Sequence, residues 1–309
     1  MTYTTGGLIQ ALDYNTFAQG GASVNHNVAN INTIWGTGNG NKGYGQTSTL
    51  STVAATNTVT ATQWATMIAR LNSILTHQSG SGSGLTQPTA GNTISYLSAL
   101  SGAITNGYNN RLDFTANGSD ATAAGSVDSS WTSNTAALTV TRTATFASGD
   151  AARYFFNAGG KLIFNFSGTN NQGNSKSSDL ADLISNKLGS IVVGGYANSR
   201  TGSGGSITSS DGSIGYWNAG TTNNLVMTLT SASGTADYGN NKIDIYLKTS
   251  GAAGSNGDVG AAISLVAVFT DVAADDFDDQ VNVTVNTTIT KRPPSTSQLT
   301  DVWGTPTYS

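Results

Sequence analysis

The chain has only two histidines, His26 and His77, as neutral-pH bases. Neither has further ligands at a spacing that would build a metal site, so both are read as structural. No histidine follows residue 77, so a serine nucleophile in the C-terminal part would have no base of its own, and no nucleophile-elbow motif precedes one. With no cysteine, disulfides, thiolate metal sites and thiol nucleophiles are excluded. The one concentration of titratable groups is Asp271, Asp275, Asp276, Asp278 and Asp279. Clustered carboxylates are hard oxygen ligands, and calcium is the ion they suit. The run lacks the glycine and final glutamate of a helix–loop–helix calcium site, and the simpler reading is a solvated loop between two strands. The expectation is no catalytic, cofactor-binding or metal-ligating residue, and no cofactor.

Residues 36–45, Gly-Thr-Gly-Asn-Gly-Asn-Lys-Gly-Tyr-Gly, invite comparison with a phosphate cradle. The stretch follows a helical pattern instead of a strand and lacks the Gly-Lys-Ser/Thr ending. Its glycines are read instead as permitting positive φ and tight chain crossing. Tyr44, Trp131, Tyr216, Trp217 and Trp303 have rings that stack on sugars when exposed, though core packing is the commoner use of such residues.

The elements that would position these residues fall into two parts. Tyr14, Phe17, Gly21, Val24, Val28, Ile31 and Trp35 recur at alternating spacings of three and four, the seam of an amphipathic or coiled-coil helix. Asp13 is its expected N-cap. The pair Gly20-Gly21 either breaks this helix or lets a neighbour approach closely, and close approach is favoured because Gly21 lies on the seam. Residues 47–59 read as short strands or extended arms. Thr60 should cap a second helix carrying Trp64, Met67, Ile68, Leu71, Ile74 and Leu75, with His77 at its end. Residues 79–84 have the composition of a flexible linker. A third helix, capped by Asn92 or Thr93, carries Ile94, Leu97, Leu100, Ile104 and Tyr108. The three stripes can bundle within one chain or between copies.

Asn117-Gly118 and the Ala/Gly/Ser run to Gly125 mark a domain boundary, and from Trp131 the period changes to alternation. Strands are expected at residues 138–146, 152–157, 161–166, 190–196, 214–217, 224–230, 242–248, 263–270 and 281–290, with a hairpin turn at Gly159-Gly160. One helical insertion, residues 179–187, is capped by Ser178 or Asp179. Pro293-Pro294 should stop the last strand. The aromatic tail, with Trp303 and Tyr308, docks on its own body or on a neighbour. The fold class is therefore α+β, an N-terminal helical, coiled-coil-like module followed by an antiparallel β-sandwich. The units are residues 1–120 for anchoring and oligomerisation, 121–292 for the body and 293–309 for a tail.

Charged residues make up only 10% of the 309, with a net charge of −4 and no basic stripe, which argues against nucleic acid as a partner. No apolar run approaches the roughly 18 residues of a membrane span. The opening Met-Thr-Tyr-Thr-Thr-Gly-Gly has no basic flank or apolar stretch, so no signal peptide is expected.

Several separated segments match one family in order. Asp13-Tyr-Asn15, Trp35-Gly-Thr-Gly-Asn-Gly40, Gly43-Tyr-Gly-Gln46, Thr60-Ala-Thr-Gln-Trp64, His77-Gln78 and Arg153-Tyr-Phe-Phe-Asn-Ala-Gly-Gly160 resemble segments of tailed-phage virion structural proteins, those of cyanophages and their marine relatives above all. The resemblance covers residues 1–80 and 130–290 and departs at Gly20-Gly21, which leaves the packing of the first helix open. It implies a non-enzymatic component of the virion, without fixing its place in the particle. A tail-fibre or appendage protein, assembling as a homotrimer beside other virion proteins, is the expected role. A capsid-decorating, neck or baseplate protein and an adhesin for host-surface glycan are the alternatives.

Overall fold

A computed structural model describes residues 10–19, 25–94, 96–122, 126–133, 137–231, 238–272 and 280–309. Helix α1 spans Ala11–Ala18. Its N-cap is Gln10, and Asp13 stands two residues inside the helix, where its carboxylate accepts the Gln10 backbone N–H at 3.2 Å. The expected continuous helix to Trp35 does not form. The α1 helix ends at Gln19 in the left-handed region, and a separate α2 covers Ile31–Trp35. The cause is local. Asn25 Oδ1 accepts Asn27 N–H, Asn30 Nδ2 donates to the carbonyls of Asn25 and Val28, and Asn30 Oδ1 caps α2 through Thr33 N–H. Asparagines bonding nearby backbone offer the chain an alternative to the helix. Val28, assigned to the seam, is 44% exposed; Gly20, Gly21 and Val24 lie outside the described residues.

Helix α3, Ala61–Ser79, starts as expected from Thr60, with Gln63 completing a reciprocal capping box. It ends at Gly80 with φ 81°. Residues 79–84 are a docked turn instead of a free linker, since Asn72 Oδ1 accepts from both Ser83 N–H at 2.7 Å and Ser83 Oγ at 2.6 Å. Helix α4, Leu97–Asn109, begins at Tyr96 without a side-chain cap. Asn92 is occupied earlier, accepting Thr89 N–H. A Cβ on Gly107 would stand 3.3 Å from Ile74, so this glycine permits close approach of α4 to α3. Ile31, Ile34, Trp64, Ile68, Leu71, Ile74, Leu100 and Ile104 are all buried, so the apolar stripes meet within one chain.

Two antiparallel sheets follow. The strands are β1 (Ala121–Thr122), β2 (Val127–Ser133), β3 (Ala137–Thr145), β4 (Lys161–Asn170), β5 (Ser190–Val193), β6 (Asn198–Arg200), β7 (Ser206–Ser210), β8 (Asn224–Thr230), β9 (Lys242–Thr249), β10 (Ala262–Thr270), β11 (Val281–Arg292) and β12 (Thr307–Tyr308). One sheet has the order β1-β11-β4-β5-β6, with β2 also on β11. The other has the order β12-β3-β10-β9-β8-β7. Rings from the two sheets meet: Phe269 of β10 lies 6.5 Å from Trp131 of β2 and 6.1 Å from Phe166 of β4. The fold is thus mixed α+β with one continuous apolar core.

Two expected strands are not strands. Residues 152–157 belong to helix α5, Gly149–Asn157, capped by Ser148 Oγ on Ala151 N–H. Buried Ala152, Phe155 and Phe156 recur at three and four, a helical spacing that their β-favouring side chains disguise. The Gly159-Gly160 pair therefore joins a helix to β4 and is no hairpin turn. Residues 214–217 form a turn in which Asn218 Oδ1 accepts Gly215 N–H and Asp211 Oδ1 accepts Ser213 N–H. The helical insertion is present as α6, Ser175–Asp182, continued by a π-helical turn over Leu183–Leu188 and capped by Asn174 in place of Ser178 or Asp179. Residues 47–59 run without a strand. After Arg292 the prolines end β11 as expected, and the tail docks on its own body, with Trp303 1% exposed and β12 paired to β3.

Candidate functional site

The glycine-rich loop, residues 36–45, lies against α5, and two arginines bond it: Arg111 donates from Nε to Asn41 O at 3.1 Å and from Nη2 to Asn41 Oδ1 at 3.0 Å, and Arg153 gathers the carbonyls around it. Arg153 is fully buried. Its Nη2 donates to Thr37 O at 2.7 Å and its Nη1 to Lys42 O at 3.1 Å, with longer bonds to Gly40 O and Gly38 O. Its Nε donates to Asp150 Oδ1 at 2.7 Å. One turn on, Asn157 Nδ2 donates to the carbonyls of Gly40 and Gly43, both at 3.1 Å. A Cβ at Gly45, whose φ is 72°, would run into the Tyr154 ring. Arginine offers a rigid fork of donors, and here the fork collects loop carbonyls that no sheet satisfies. The loop's backbone N–H groups do not converge on an anion; its carbonyls converge on a guanidinium.

The histidines are not brought into a site. His77, in the last turn of α3, points Nε2 at Ala158 O, 3.1 Å away, with the Tyr44 ring edge-on at 5.2 Å. Burial, partly countered by that carbonyl, pushes its pKa down to about 4, so the ring is neutral. His26 is also lowered, first by burial and then by the charges of Arg153 and Lys42. Among the described residues no three His, Asp or Glu side chains converge as metal ligands. Of the acidic run only Asp271 is described, and it is buried against Lys176, Nζ to Oδ2 3.2 Å. Asp275, Asp276, Asp278 and Asp279 lie outside the described residues. Four of the five aromatic candidates, Tyr44, Trp131, Tyr216 and Trp303, are core residues.

The fifth, Trp217, is half-buried and stands behind Tyr196, which lines an apolar groove. This cavity of about 340 Å³ is lined by Leu112, Phe114, Phe156, Lys161, Gly195 and Tyr196, among others. Tyr196 is 43% exposed and stacks on Trp217, centroids 6.4 Å apart and planes 22° apart. Trp217 Nε1 donates to Asn157 Oδ1 of α5 at 3.2 Å, and Tyr196 Oη accepts from Asn41 Nδ2 of the loop at 3.0 Å. Lys161 Nζ sits 5.2 Å over the Phe114 ring. A wall of rings with a cation and amide groups at its rim suits a ligand with an apolar face and hydroxyls. The sequence marked Trp217 but not Leu112, Phe114 or Tyr196, which come from segments far apart in the chain.

No helix among the described residues is long and apolar enough to cross a membrane. No family model matches the chain, and neither a curated protein nor a solved structure shows significant similarity to it.

Proposed function

We propose that the chain is a non-enzymatic structural protein of a tailed-phage virion, a tail-fibre or appendage component that assembles as a homotrimer with other virion proteins. In this reading the N-terminal helices anchor the protein and the two sheets stack as a β-sandwich that projects from the particle. The aromatic contacts between the sheets support the sandwich. The observation that carries the functional reading is what the buried polar side chains do. Arg153, Asn157, Asn32 and Gln46, the groups a catalytic or ligand-binding site would employ, instead hold loop backbone in place. The segment resemblance to virion proteins points the same way. The test is immunogold electron microscopy of purified particles, with antibody raised against residues 121–292. Label on fibres or at the tail tip is expected. Label over the head would replace the fibre with a capsid-decorating role, and label at the neck or baseplate would move it there. No label on intact or disrupted particles would remove the proposal.

The Tyr196–Trp217 stack beside the groove favours a second reading, an adhesin for host-surface glycan. An exposed ring at a half-open groove buries the apolar face of a sugar, and a contact on the scale of an aromatic pair is worth roughly 1 kcal/mol. Tyr196→Ala should weaken binding to host polysaccharide about fivefold or more without loss of fold, and a glycan array with no hits on the unaltered protein would remove this reading.

A further inference from the structure

Lys176 and Asp271 are both 1% exposed in their side chains, with Nζ and Oδ2 3.2 Å apart. Lys176 Nζ also lies 5.8 Å over the Tyr238 ring. The flanking backbone is fixed on both sides. Asn174 caps α6 and donates from Nδ2 to Gln280 O at 2.7 Å, while Ser177 Oγ accepts Asn282 N–H at 3.0 Å. Beside Asp271, Val272 N–H donates to Asn241 Oδ1 at 3.1 Å, and Asn241 is itself fully buried. The amine and the carboxyl group are thus held in contact, away from water, by elements from opposite sheets. Lys176 lies in the β4–β5 connection of one sheet, and Asp271 directly follows β10 of the other.

We infer that this pair condenses to an internal isopeptide bond. Two ions buried together carry a large desolvation penalty, which condensation to an uncharged amide removes; the reaction begins with the passage of one proton from the amine side to the carboxyl side. The resulting amine is a nucleophile, and the resulting carboxylic acid has a leaving group. The Lys176 Nζ lone pair attacks Asp271 Cγ, one bond beyond the oxygen it already touches, to give a tetrahedral centre. A second proton passes from nitrogen to the departing hydroxyl oxygen, the C–O bond breaks and water leaves. One C–N bond has formed, charge is conserved and no oxidant or cofactor takes part. The 3.2 Å contact is with Oδ2, so Nζ reaches Cγ by a short shift onto the face of the carboxyl group, and holding the two groups together spares the entropy of bringing them into contact. In a chain without cysteine the bond ties the two sheets covalently. It does not depend on the virion reading.

The test is the intact mass of the folded full-length protein, followed by proteolysis and peptide sequencing by mass spectrometry. The expected mass is that of the sequence less one water, with a branched peptide joining Lys176 to Asp271. Lys176→Arg and Asp271→Ala should each return the unmodified mass and slow migration of the denatured chain in a gel. An unmodified mass for the folded wild-type protein overturns the inference, whether or not the variants fold. Loss of water that persists in Lys176→Arg also overturns it, because the loss has then occurred elsewhere.

Discussion

Replacing Arg153 with Met removes the guanidinium fork and keeps much of the hydrocarbon stem. Two loop carbonyls, Thr37 O and Lys42 O, then lose short bonds of 2.7 and 3.1 Å from a charged donor. Gly40 O keeps its bond from Asn157, and the 3.4 Å bond to Gly38 O contributes little. Hydrogen bonds to a charged partner are worth about 1.5–3 kcal/mol each. Asp150 is 27% exposed in its side chain and is rehydrated once its partner is gone, so the ion pair adds less. The expected loss is about 3–5 kcal/mol. Arg153→Lys should fall between, because one ammonium cannot span both carbonyls. Urea unfolding at pH 7 measures this as a lower midpoint at unchanged slope. Trypsin cleavage after Lys42 in the native protein should accelerate in parallel. A loss of under about 1 kcal/mol in Arg153→Met, with the loop as resistant as before, would refute the claim that Arg153 holds residues 36–45.

Four further outcomes follow from single contacts. His77 has a folded pKa of about 4 against 6.5 when free, so the unfolded state binds the extra proton between these values. The stability it contributes, about 3 kcal/mol, is therefore complete above pH 6.5 and lost as pH falls towards 4, and His77→Gln should flatten that slope in unfolding curves down to the smaller part that His26 adds with the same sign. Trp303→Ala should cost about 3–5 kcal/mol and expose the β3–β12 amides, such as Ser309 N–H, to hydrogen exchange. Asn32→Asp, isosteric but without a donor to Leu50 O, should lose about 3 kcal/mol in thermal or urea unfolding. Ile31→Asp should abolish the fold, because Ile31 is wholly buried, whereas Leu12→Asp, at a side chain 64% exposed, should keep the circular dichroism and lower the mass of any assembly seen by light scattering; an unchanged mass would exclude α1 as the interface.

Alternation made β3, β10 and β11 legible, because residues of those strands face two different environments and period two records it. The α3 start was legible because Thr60 and Gln63 carry the cap within four residues. Helix α5 was not, because Ala152-Arg-Tyr-Phe-Phe favours strands on propensity. What makes it a helix is a core that accepts Phe155 and Phe156 on one side and a loop that takes Arg153 on the other. The break before α2 was written in Asn25 and Asn30, but the apolar register ran over it. The groove was hidden because its walls come from residues 112–114, 159–161 and 194–197, far apart in the chain, and the one signal among them, Gly159-Gly160, reads as a turn.

The composition, rich in amides and poor in charge, has a structural explanation in three paired contacts. Asn15 Nδ2 donates to Val53 O at 2.9 Å while its Oδ1 accepts Val53 N–H at 2.8 Å. Asn32 does the same to Leu50, at 2.7 and 2.9 Å, and Gln46 to Thr300, at 3.0 and 2.8 Å. Each amide side chain stands in for a strand neighbour, satisfying one N–H and one C=O of a residue that no sheet reaches. Residues 47–59 and 295–306 lie outside the sheets and helices, and backbone groups buried in such segments need partners. A carboxylate supplies only acceptors and an ammonium only donors, so neither can close the two-bond ring. Asn and Gln can, through two separate atoms and without a charge to desolvate; a serine hydroxyl does the same through one atom at Gly168, where Ser185 Oγ accepts the N–H at 2.8 Å and donates to the carbonyl at 3.2 Å. Irregular segments are thereby joined across as much of the chain as separates Gln46 from Thr300, and the amide-rich composition supplies the side chains that do it, beside the Arg153 and Arg111 guanidinium groups that hold residues 36–45.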